Sequence, residues 1–126
     1  MARKKVNGKY QTNLKLITCI VQRGKADDVV KAARMAGAPA ATIYFARGTG
    51  IRERLGLLKI FISPEKEVVE MVIPNEEADK VFDAVVEAGK LDIPGMGFIY
   101  MTSVDKALML GSSAGTVAEH DSGHNE

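Results

Sequence analysis

The 126-residue chain holds one cysteine and two histidines, and its charges nearly cancel, to +1 at pH 7. A single thiol, Cys19, excludes an internal disulfide and fits a reducing compartment. It stands in an apolar run, where a buried inert thiol is expected rather than a nucleophile. Both histidines, His120 and His124, fall in the final stretch, so no His/Cys cluster with metal-ligand spacing forms. Balanced charge gives no general attraction to nucleic acid, and any basic site must be local. No continuous apolar run approaches ~18 residues, the length a membrane span needs. No apolar signal core follows the basic start MARKKVNGKYQTN either. The expectation is a cytoplasmic protein that meets a membrane only through a membrane-protein partner.

What is present begins with composition. Hydrophobic residues make up 46% of the chain and charged residues 26%, which describes a single globular domain able to bury a core without staples. An internal repeat then gives the organisation. The segment from Ala26 to Gly37, ADDVVKAARMAG, aligns without gaps on that from Ala78 to Gly89, ADKVFDAVVEAG, with half the positions identical. Each copy has apolar residues at helical spacing, acidic residues near its start, and a glycine where a helix stops in a left-handed cap. The acidic pairs Asp27-Asp28 and Glu76-Glu77 read as dipole complements in first helical turns, not as acid-base groups.

Strand-like runs flank each copy: LKLITCIVQ and AATIYFA around the first, EVVEMVIP and GFIYMTS around the second. Two strand-helix-strand units in tandem specify a ferredoxin-like α+β fold, a four-stranded antiparallel sheet with two helices on one face. The strands are apolar on both sides. In the first, Leu14, Leu16 and Ile20 alternate with Ile17, Cys19 and Val21. Two helices cover only one face, so the other marks an interaction surface, most economically between copies of the same chain. The other occupant to weigh is the chain's own ends, VDKALMLG or the first thirteen residues.

Between the units lies an insertion from Arg47 to about Lys66. It opens with ARGTGIRERLG, three glycines and three arginines in eleven positions, and continues through LLKIFI to a turn at Ser63-Pro64-Glu65-Lys66, a hairpin reaching beyond the sheet. Gly48-Thr49-Gly50 follows a strand directly, so its amides can turn toward an anion, with Arg52 and Arg54 nearby. A second glycine pair, Gly95-Met96-Gly97, occupies the equivalent place before the last strand. The pattern SSAGTVAEHDSGHNE reads as a disordered tail.

The tandem units, the long loop opening with GxG, and AGKLDIPGMGFIYM before the fourth strand resemble the PII nitrogen-regulatory signal proteins. The resemblance implies a core over 14–111, with a basic extension at 1–13 and the tail at 112–126. It also implies a homotrimer with intersubunit clefts for an adenine nucleotide (ATP, ADP or AMP), and a mobile T-loop at about 48–66 that docks on a transporter or metabolic enzyme in nitrogen regulation. On the matching positions, Gly48, Thr49, Gly50, Arg52, Lys90, Gly95, Met96 and Gly97 form the nucleotide site. Arg52, Glu53, Arg54 and Leu55 present the docking arm.

Departures accompany the resemblance. The phosphate-cradling B-loop typically reads Gly-Asp-Gly-Lys, whereas this chain has Gly95-Met96-Gly97-Phe98. The terminal Arg-x-Arg pair is replaced within KALMLG, where Met109 and Gly111 stand closest, leaving Lys90 or Lys106 to substitute. The T-loop stretch has no tyrosine to modify. Weak nucleotide binding is therefore expected, with a trimeric partner-docking module carrying a vestigial nucleotide site as the alternative.

An acylphosphatase-like enzyme is disfavoured. Arg23-Gly24-Lys25 sits where such a cradle would lie, but no catalytic constellation converges there. RNA binding is disfavoured because LKLITCIV and EVVEMVI carry no stacking aromatics. Tyr44, Phe45, Phe98 and Tyr100 read instead as core or subunit-interface residues.

Overall fold

A computed structural model describes residues 10–48 and 64–108. In chain order the elements are β1 (Tyr10–Gln11), β2 (Leu14–Gln22), α1 (Ala26–Met35), β3 (Thr42–Arg47), β4 (Glu65–Pro74), α2 (Asn75–Gly89), β5 (Gly97–Val104) and β6 (Ala107–Leu108). The main sheet has the order β3-β4-β2-β5 with every neighbour antiparallel. This is the ferredoxin-like arrangement expected from the repeat.

Alternation along the two central strands decides what is buried. Ile17, Cys19 and Val21 on β2 stand opposite Met71, Val69 and Glu67 on β4. Ile17, Cys19, Val69, Met71 and Ile73 are 0–1% exposed and pack in one cluster with Val29 and Ala33 of α1 and Val81 and Val85 of α2. Burying each such side chain contributes about 1.5–3 kcal/mol, which sets both helices on this face. Burial pushes the Cys19 thiol up to about 12, so it stays protonated and inert near neutrality.

The helix ends are satisfied in different ways. At the start of α1 no local side chain caps the helix. Instead the Glu67 carboxylate of β4 accepts from the amides of Gly24 (3.1 Å) and Ala26 (2.8 Å). At its end Gly37 takes φ +123°, donates to the Arg34 carbonyl, and is followed by an Ala38 amide bonded to Ala33. That is a Schellman closure with glycine in the left-handed role, as expected.

The second copy departs from the first. Helix α2 starts at Asn75, before the aligned repeat, and its left-handed residue is Lys90 (φ 54°), not Gly89. Gly89 stays inside the helix for a packing reason: a Cβ there would meet Leu91 at 3.2 Å and Val29 at 3.5 Å. Both acidic pairs occupy first turns.

The other face of the sheet carries Leu16, Thr18 and Ile20 of β2, Val68, Glu70 and Val72 of β4, Tyr44 of β3, and Phe98 and Tyr100 of β5, by register. Tyr44, Phe98 and Tyr100 are 41–59% exposed, so they are not core residues. Phe45 is not core either; it is 71% exposed. The described ends pair with each other, Tyr10 with Leu108 and Gln11 with Ala107, and on the same face Leu14, Thr18 and Val68 are buried.

Candidate functional site

Where β2 and β5 meet their loops, a groove of about 200 Å³ is lined by Ile20, Gln22, Lys66, Met96, Gly97 and Phe98. Its floor is set by close backbone approach. A Cβ at Gly97 would lie 2.5 Å from the Ile20 carbonyl oxygen and 2.7 Å from Leu91 Cδ2, contacts no side chain tolerates. The preceding loop is held from both sides. Gln22 Nε2 donates to the Gly95 carbonyl at 2.8 Å, and the Met96 amide donates to Ile93 at 3.1 Å.

Of the residues expected to form the anion site, Gly95, Met96 and Gly97 converge on this groove. The Met96 amide is already committed, which reduces the cradle's donor set. Gly48 ends the β3–β4 ladder, its amide donating to Pro64 at 2.8 Å, so that donor is likewise spent. Lys90 caps α2 with an exposed side chain and is not among the groove's lining residues. Thr49, Gly50, Arg52, Glu53, Arg54 and Leu55 lie outside the described residues, as do Met109 and Gly111.

The turn expected at Ser63-Pro64-Glu65-Lys66 is corrected: Glu65 and Lys66 already belong to β4, opposite Arg47 and Ala46. Pairing with β3 competes successfully with the local turn signal of Ser-Pro. On its other side β4 pairs with β2, and Lys66 opposite Gln22 reaches the groove wall, a position sequence spacing alone did not reveal.

Beside the groove the open face carries a polar inclusion. Tyr44 donates its hydroxyl to Glu70 at 2.9 Å, and this bond, with a smaller contribution from burial, holds the phenol above its ordinary pKa. Thr18 stands between Glu70 and Tyr100 in register, 3% exposed, its hydroxyl without a hydrogen-bond partner among the described residues. Phe98 and Tyr100 stack at 5.6 Å, tilted by 46°. Among the described residues no group of three or more His, Cys, Asp or Glu could hold a metal ion, and no helix is long and apolar enough to cross a membrane.

The family model described as "Nitrogen regulatory protein P-II" matches residues 14–112. The chain belongs to the PII family. A curated relative, the nitrogen regulatory protein P-II of Rhodobacter capsulatus, is 26% identical over 104 residues, covering 77% of this chain and 91% of that protein. Among solved structures, Arabidopsis thaliana PII, crystallised with citrate, superposes with a TM-score of 0.61 at 19% identity over 79% of this chain and 84% of that one. PII proteins are trimeric regulators that bind target proteins.

Proposed function

We propose that this chain is a homotrimeric signalling protein that regulates a transporter or metabolic enzyme through the loop at 48–66. Its effector is an adenine nucleotide held weakly in the B-loop groove. The observation that carries the reading is the groove itself: Gly97 pressed against the Ile20 backbone, beside the exposed rings of Phe98 and Tyr100, with Lys66 on its wall. A neighbour seated on those rings would close the groove from above, as an intersubunit cleft requires.

Lys66 takes the place of the missing B-loop lysine as a charge source. With the Met96 and Gly48 amides committed elsewhere, fewer donors face phosphate. Each lost charge-assisted hydrogen bond costs about 1.5–3 kcal/mol, so affinity in the range of tens of micromolar or weaker is expected. Control acts through docking rather than chemistry on a substrate.

Light scattering should return three times the 13.6 kDa chain. Calorimetry should show weak heats with ATP, ADP and AMP, and Lys66→Ala should weaken ATP more than AMP. A monomer at micromolar concentration would sink the trimer. Absence of heat with all three nucleotides would leave a partner-docking trimer with a vestigial nucleotide site. Gly97→Asp is unsuited to this test, because its Cβ collides with Ile20 before its charge matters.

A further inference from the structure

A second, larger cavity of about 590 Å³ lies at the stem of the insertion, walled by Arg23, Phe45, Arg47, Pro64 and Glu65. It shares only Lys66 with the B-loop groove. Phe45 faces Glu67 and Arg47 faces Glu65 across the β3–β4 ladder. Alternation therefore sends both side chains to the face on which Glu67 caps α1, away from the open face that carries Tyr44.

The acidic groups on this wall are already committed. Glu65 accepts from Arg23 at 2.8 Å, and Glu67 accepts from the Gly24 and Ala26 amides. The Arg47 guanidinium, by contrast, makes no hydrogen bond or ion pair with any described residue. Two positions along the same strand side, Phe45 leaves 71% of its surface in water. An exposed ring on an edge strand is unfavourable unless something covers it. The pairing of planar cation and bare ring matches a ligand with an anionic end and a flat apolar body, and the volume falls in the range of small-molecule sites.

We infer that this cavity binds an oxyanion, carboxylate or phosphate, carried on a flat apolar body, with Arg47 as the anion's partner and Phe45 as the apolar shelf. Apart from Lys66, which lines both cavities, the site is distinct from the groove, and the inference stands whether or not ATP binds.

Benzoate, phenyl phosphate, inorganic phosphate and benzylamine serve as probes on the full chain, followed by calorimetry and amide chemical shifts. Both aryl oxyanions should bind and shift the amides of residues 45 to 47. Inorganic phosphate should bind about tenfold more weakly and benzylamine not at all. The ranking of benzoate against phenyl phosphate distinguishes a carboxylate from a phosphate ligand. Arg47→Ala should weaken both aryl ligands about tenfold or more, while Phe45→Ala should lower them to the level of inorganic phosphate and leave phosphate unchanged. Both side chains are outside the buried core, and native amide spectra of the variants establish that each is folded. Binding of the aryl oxyanions within twofold of wild type in Arg47→Ala, equal binding of benzylamine, or no binding of either aryl oxyanion at millimolar concentration would each overturn the inference. ATP titration of Arg47→Ala should match wild type, which separates this site from the groove.

Discussion

The two faces of one sheet have nearly the same hydrophobic content, yet the large exposed rings of Tyr44, Phe98 and Tyr100 all fall on one of them. Ile17 and Ile20 lie three residues apart on β2, yet Ile17 is fully buried beneath both helices while Ile20 stays part-exposed at the groove. The covered face is uniformly apolar across Ile17, Cys19, Val69, Met71 and Ile73. The open face interrupts its apolar surface with Thr18, Glu70 and the hydroxyls of Tyr44 and Tyr100. A core rewards volume and dryness alone. A surface that must exist in water before it meets a partner also needs groups that water tolerates, and groups that fix how the partner sits.

Substitutions can sharpen that contrast, beginning with the core. Ile17→Ala should cost about 2–5 kcal/mol in urea or thermal unfolding, because a fully buried side chain leaves a void the helices cannot fill. A loss below ~1 kcal/mol would mean that the covered face is not the tightly packed one.

Glu67→Gln comes next. It keeps the volume but turns a charged acceptor for two α1 amides into a neutral one, with an expected loss of about 1 kcal/mol. Hydrogen exchange should quicken at Gly24 and Ala26 before it does elsewhere in α1. Unchanged protection there would remove Glu67 as the cap.

Lys90→Gly should act in the opposite direction, stabilising by about 0.5–1 kcal/mol, since Lys90 occupies the left-handed region that glycine adopts without strain. A destabilisation would show that the Lys90 side chain does more than end the helix.

The smallest effect on folding belongs to the open face. Phe98→Ser should change the folding of an isolated subunit by under ~0.5 kcal/mol, because the ring is 59% exposed there, while shifting the proposed trimer toward monomer in light scattering. A variant that stays trimeric would place the assembly surface elsewhere.

Local chemistry was readable wherever the signal was periodic. The repeat announced both helices, the alternation in LKLITCIVQ and EVVEMVIP announced strands with two apolar faces, and the glycine pair before FIYM marked the groove. Gly37 was rightly read as a left-handed stop. Its counterpart Gly89 was not, because the reason for that glycine is the approach of Leu91 and Val29, which no window of the sequence displays. The Ser-Pro turn signal at 63–66 overreached for a related reason: ladder partners on β3 draw Glu65 and Lys66 into β4.

The sequence by itself determined both helices, the four strands of the main sheet, their order and the excess of apolar surface, since periods of two and 3.6 residues are written along the chain; the short β1–β6 pair at the ends carries no such period. Only the tertiary structure decided which glycine is a hinge and which a contact. It alone lent the Glu67 carboxylate to a helix more than forty residues earlier in the chain, placed Lys66 on the wall of the groove beside Gly97, and brought Arg23 to one cavity with Arg47 and Glu65. These are relations between residues distant along the chain. They come into being when antiparallel pairing fixes the register between strands, because one register places every cross-strand neighbour at once.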